Sequence, residues 1–188
     1  MKIIAIIILS LFAMPLFAGE IDFHGPAWND LSIPLGITSY YVEVNSDQTA
    51  KSVGLVLEIY KQGKLVRTIR SFPGGFDKEF KLNVKFGIYF VPKPNPAQGY
   101  TLTFAQKWLE SSGSSKTDVP LSDIDLSGAV GSGGFTSPVG ALKMVPLFCI
   151  VVPNPTNATP ATVIGDTVDD CVKENPDATV LIGYLERK

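Results

Sequence analysis

"FKLNVKFGIYF", Phe80 to Phe90, decides the fold class. Phe80, Leu82, Val84, Phe86, Ile88 and Phe90 share one parity. Lys81, Asn83, Lys85, Gly87 and Tyr89 share the other. A period of two sustained over the whole stretch predicts a half-buried β-strand. At helical spacing the same apolar residues would scatter around the axis. Tyr89 therefore falls on the polar side of its strand.

Working outward, "YTLTFAQKW" (Tyr100–Trp108) repeats the pattern, with Gln106 the single polar residue on the apolar face and Trp108 in the core. The prolines of "PKPNPAQG" between the two stretches cannot donate to a ladder, so they end both strands. Upstream, "SVGLVLEIYKQGKLVRTIRSF" predicts a hairpin. Val53, Leu55, Leu57 and Ile59 alternate in its first arm, Lys61–Lys64 turns, and Gly63 takes positive φ at little cost. "PGG" at Pro73–Gly75 turns the chain again. Ile37–Val44 reads as a separate strand. "ALKMVPLFCIVV" reads as one buried strand, or two broken at Pro146, and Thr179–Arg187 as a last strand. "TVDDCVKENPDA" is the one good helix candidate, capped by Asp166 or Thr167 and stopped at Asn175–Pro176.

These elements predict an all-β, mainly antiparallel fold: a β-sandwich of immunoglobulin-like or jelly-roll type, with a small barrel as the alternative and one short helix near the C-terminus. Seven or eight strands are expected. Residues 1–18 read as a signal peptide: Lys2, the apolar run "IIAIIILSLFAMPLFA", and cleavage after Ala18. The run is short for a spanning helix, and no stable membrane span is expected after cleavage. Residues 19–188 then form one domain, which implies a secreted or periplasmic protein. Without Lys2, 15 basic residues stand against 18 acidic ones, net −3. Such a balance carries no electrostatic footprint for nucleic acid. Cys149 and Cys171 are expected to pair in an oxidising compartment, closing a loop worth ~3 kcal/mol in the chain-entropy model.

Residues 111–140 hold eight Ser and six Gly and read as a long solvated loop, too poor in apolar surface to offset its ordering entropy. Its glycines match no nucleotide-binding pattern, and no cofactor is implied. A loop this long in a compact domain is usually either functional, as a lid or contact loop, or a floppy insertion. Ser127, Gly131, Gly133 and Phe135 are the candidate binding residues, with Phe135 exposed between Gly134 and Thr136 as an anchor. Tyr89 belongs to a second candidate surface, a sugar-stacking face drawn from Trp28, Tyr40, Tyr41, Tyr89 and Trp108, in which either Tyr40 or Tyr41 shares the polar side with Tyr89.

His24 is the only imidazole, two residues after Asp22, and would be the base of any hydrolase. No G-x-S-x-G elbow accompanies it, and no catalytic residue is assigned. No Cys/His spacing fits zinc. The Asp123/Asp125 and Asp169/Asp170 pairs fall far short of a calcium loop, so no metal is assigned. Asn157–Thr159 matches a glycosylation acceptor. The expected function is a non-enzymatic exported protein that binds a protein partner. A carbohydrate-binding module is the alternative, and a secreted hydrolase comes third.

Overall fold

The computed structural model describes residues 20–24, 36–71, 74–108, 111–126, 131–135, 143–154 and 167–188. The candidate leader, Trp28, Ser127, Asn157–Thr159 and Asp166 lie outside the described residues, as do the side chains of Asp22 and His24.

The described chain is all-β and antiparallel, with one short helix. Its strands are β1 (Glu20–His24), β2 (Thr38–Lys61), β3 (Lys64–Arg70), β4 (Gly74–Pro92), β5 (Tyr100–Trp108), β6 (Ser111–Val119), β7 (Gly131–Gly134), β8 (Met144–Val152) and β9 (Thr179–Arg187). Helix α1 (Val168–Lys173) precedes β9. The pairing order is β6-β5-β4-β2-β9-β8-β7, with β1 and β3 each also pairing β2.

β2 organises the fold. Two separate strands were expected over its length. Instead it runs unbroken for 24 residues, with register shifts against β4 at Ser46/Thr49 and Ala50/Ser52. Such irregularities bend a strand and let it serve two sheets. Its first half lies between β1 and β4, and its second half between β9 and β3. The result is a sandwich-like pair of layers. The first is β6-β5-β4-β2-β1, the second β3-β2-β9-β8-β7, and β2 belongs to both.

The inner faces merge into one core. Val42, Val44, Leu82, Val84, Phe86, Ile88, Leu102 and Phe104 of the first layer meet Leu55, Leu57, Ile59, Leu147, Ile150 and Leu181 of the second. The alternation read from Phe80–Phe90 places its core residues correctly, and Trp108 is buried as expected. Phe23 of β1 stacks on Phe148 of β8 at 5.1 Å, joining the layers along one side. Along the other, Arg67 of β3 bonds Asp123 at 2.7 Å and the Asp118 carbonyl at 3.1 Å. The β2–β3 turn holds Gln62 and Gly63 at φ 51° and 71°, both positive as a two-residue hairpin of type I′ requires. β8 passes Pro146 as one strand, with a register shift between Pro146 and Phe148.

The second layer has a covered outer face. Cys149, Val151, Val180 and Ile182 pack there against Cys171 and Val172 of α1. Cys149 and Cys171 are joined as a disulfide, 22 residues apart, which fits an oxidising compartment. Thr167 is the helix cap, accepting the Asp170 N–H at 3.2 Å, and Asn175 donates to the Cys171 carbonyl at 2.9 Å. Among the described residues, no helix is long and apolar enough to cross a membrane.

The largest departure from expectation concerns residues 111–140. Ser111–Val119 is not a loop but strand β6, paired with β5 from Trp108↔Ser111 to Tyr100↔Val119. Gly131–Gly134 is strand β7, paired with β8. Backbone pairing needs no apolar side chain, so a Ser/Gly run at a sheet margin can be a strand without displaying a strand's pattern.

Candidate functional site

The outer face of the first layer carries no helix or strand among the described residues. Its residues follow from the parity of Phe80–Phe90: where Phe86 and Ile88 point in, Lys85, Gly87 and Tyr89 point out. Register then aligns them across strands. One row runs Tyr41, Gly87, Ala105, Ser114. The next runs Glu43, Lys85, Lys107, Ser112, and on the far side Ser39, Tyr89, Thr103, Lys116.

The middle row is low, because Gly87 and Ala105 fill so little space; the Tyr89 ring covers Gly87, and the row is left open at Ala105 and Ser114. An open trough of about 590 Å³ results, with Tyr41 and Tyr89 at one end, Lys85 and Lys107 along one wall, and Ser112 and Ser114 at the margin. Its volume lies in the range of ligand sites. The tyrosine rings meet edge to face, 5.8 Å apart at 87°. The Tyr89 ring lies over Gly87: a Cβ there would come within 2.7 Å of Tyr89 Cε2. Tyr41, rather than the fully buried Tyr40, shares the polar side with Tyr89.

The charges on this face divide into paired and unpaired. Lys85 Nζ bonds Glu43 at 2.7 Å, Lys81 bonds Asp47 at 2.7 Å, and Lys93 bonds Asp118 at 2.8 Å. The hydrogen bond from Lys93 holds the Asp118 carboxyl below its ordinary value, and that from Lys81 does the same for Asp47. Lys107 and Lys116 are exposed and enter no ion pair among the described residues.

The trough opens onto the free edge of β6, which pairs only with β5 among the described strands. Which of its backbone groups face outward can be counted. Lys93 N–H donates to Gly99 O at 3.0 Å, fixing the phase of the β4–β5 ladder. Alternation then turns the odd-numbered residues of β6 toward β5 and the even-numbered ones outward. The Asp118 carbonyl, taken by Arg67, agrees. Ser112, Ser114 and Lys116 thus present their N–H and C=O groups away from the sheet.

The candidate residues read from sequence do not converge. Tyr89 lies at the trough. Gly131 and Gly133 lie in β7, at the far edge of the second layer. Phe135 is corrected outright: it is only 4% exposed, packed with Cys149, Val151 and Ile182. Its N–H bonds the Leu147 carbonyl at 2.9 Å, so the chain carries the ring inward where β7 ends. Asp123 is held by Arg67 rather than left to a cation. Among the described residues no group of three or more His, Cys, Asp and Glu could hold a metal ion. Lys107, Ser112 and Ser114 escape the sequence reading, whereas Tyr41 stands beside Tyr89 among its sugar-stacking candidates. The signal that finds them is the parity count carried from strand to strand.

Comparison with protein-family models, with curated proteins and with solved structures finds no match to this chain.

Proposed function

We propose that this is an exported, non-enzymatic binding protein that captures an extended segment of a protein partner along β6. The carrying observation is the β6 edge, unpaired among the described strands, exposed from Ser112 to Ser114 and continuous with the trough. An extended chain laid there would gain main-chain hydrogen bonds from the outward groups, and the trough would receive its alternate side chains. The contrast between the layers supports this reading. The second layer's outer face is sealed by α1 and a disulfide, whereas the first layer's face meets solvent at the trough. Proteins commonly blunt a free edge with charge or proline; from Ser111 to Ser115 β6 has neither.

The test is capture by cross-linking in cells, comparing the wild-type chain with Ser114→Pro. Proline at an outward-facing edge position removes no ladder bond, so the variant should keep its melting temperature and lose the captured protein. A fully retained capture would overturn the reading.

The Tyr41–Tyr89 pair favours a second reading, a polysaccharide laid across the tyrosines. It predicts that Tyr89→Ala elutes early from an insoluble polysaccharide without unfolding. Equal retention of variant and wild type would dismiss it.

A further inference from the structure

Resting on the strand-addition reading, we infer that the segment β6 accepts alternates acidic, large apolar and acidic side chains: acidic-x-large-x-acidic. An added strand would continue the three rows of the outer face. Its residue opposite Ser112 extends the row that ends Lys85, Lys107, Ser112, and its residue opposite Lys116 extends the row of Tyr89 and Thr103. Lys107 and Lys116 enter no ion pair among the described residues, whereas Lys85 already has Glu43. Strands lie about 4.8 Å apart. A carboxylate opposite Ser112 can therefore meet the Lys107 ammonium across a side chain too small to intervene. A carboxylate opposite Lys116 meets it directly, as cross-strand opposite charges do.

Between those positions, the residue opposite Ser114 faces the bare row of Ser114 and Ala105, with the tyrosine pair beyond. Only a large apolar side chain covers that floor. The pattern reads the same in both directions, so it serves a parallel or an antiparallel strand.

The same charges argue against a second copy of this chain as the occupant. Two β6 edges paired antiparallel about Ser114 would set Lys116 of one copy opposite Ser112 of the other, beside Lys107. Like charges would then meet twice.

The experiment uses the full exported chain, isotope-labelled, titrated with acetylated, amidated heptapeptides and followed by NMR. The probes are Thr-Glu-Thr-Phe-Thr-Glu-Thr and its Gln and Lys counterparts. Two exposed ion pairs predict that the Glu peptide binds about fivefold tighter than the Gln peptide, with shifts centred on residues 112–116. That preference should shrink in 1 M salt. Lys107→Glu combined with Lys116→Glu should transfer it to the Lys peptide. Equal affinity for the three peptides, or an unmoved preference in the double variant, overturns the inferred pattern while strand addition stands. Binding unaffected by Ser114→Pro, or no binding by any peptide, overturns strand addition itself.

Discussion

Two glycines, one in each layer, should respond unequally to the same substitution. Gly87 and Gly183 both sit in strand interiors, where glycine costs about 0.5–1 kcal/mol relative to alanine. At Gly87 the added methyl meets Cε2 and Oη of Tyr89, at 2.7 and 2.8 Å. These atoms are the far end of a partly exposed side chain that can swing away. The loss is then the edge-to-face contact with Tyr41, about 0.5–1.5 kcal/mol, and the net stability change should stay within about 1 kcal/mol. At Gly183 the methyl would overlap the ring of Phe148. That ring is fully buried and held against Phe23, so it cannot yield without repacking the core. Overpacking of this kind costs about 1–3 kcal/mol, or some 2–12 °C in melting temperature for a chain of this size. Calorimetry on both variants makes the comparison. Gly87→Ala should melt near the wild type yet bind its partner more weakly, because the displaced ring and the new methyl fill the trough. The reasoning fails if Gly183→Ala melts with the wild type, or if Gly87→Ala falls as far as Gly183→Ala.

Other outcomes follow from the same geometry. Replacing Cys149 and Cys171 by serine should cost about 2–4 kcal/mol and speed amide exchange in α1 first; uniform loss of protection would show that the helix is not a separately held cover. Tyr60 is pushed up to about 12 by burial and by Glu58, which accepts its hydroxyl at 2.7 Å, and burial raises Tyr184 as well. A raised tyrosine contributes stability that is complete below the unfolded value near 10 and is lost as pH climbs through the folded value. Urea midpoints should therefore fall between about pH 10 and 12, and less steeply for Tyr60→Phe; an unchanged slope would remove Tyr60 from the account. Gln106 Oε1 is buried without a partner among the described residues, and an unsatisfied group costs about 1–3 kcal/mol. Gln106→Met should hold or raise the melting temperature, and a drop would reveal a hydrogen bond to that oxygen.

The parts of the fold legible in the sequence are those whose two faces differ. Phe80–Phe90 and Tyr100–Trp108 announce themselves because each strand has one side in the core and one in water, and Thr167 announces α1 because a cap is a local interaction. Sequence divides β2 in two because its middle, Asn45 to Lys51, turns polar. There the strand passes from one layer to the other, and only Ala50 is buried. Phe135 looked exposed because glycine and threonine flank it, whereas its burial depends on β8 and β9, brought beside it by long-range pairing.

β6 was hidden for a reason that bears on function. A strand shows itself in sequence through the side chains it buries within its own chain. Ser112, Ser114 and Lys116 bury none, since they face outward at a margin; of the alternate residues Gly113 is exposed, and Ser115 and Thr117, though partly buried, are polar. Were β6 only the end of a finished sheet, selection for solubility alone would favour charge or proline along it. Small, uncharged residues over its first five positions are instead what a second backbone needs in order to approach closely. On the proposed reading, the missing half of the strand pattern is written in the partner: its large residue covers the floor that β6 leaves bare, and its acids complete Lys107 and Lys116.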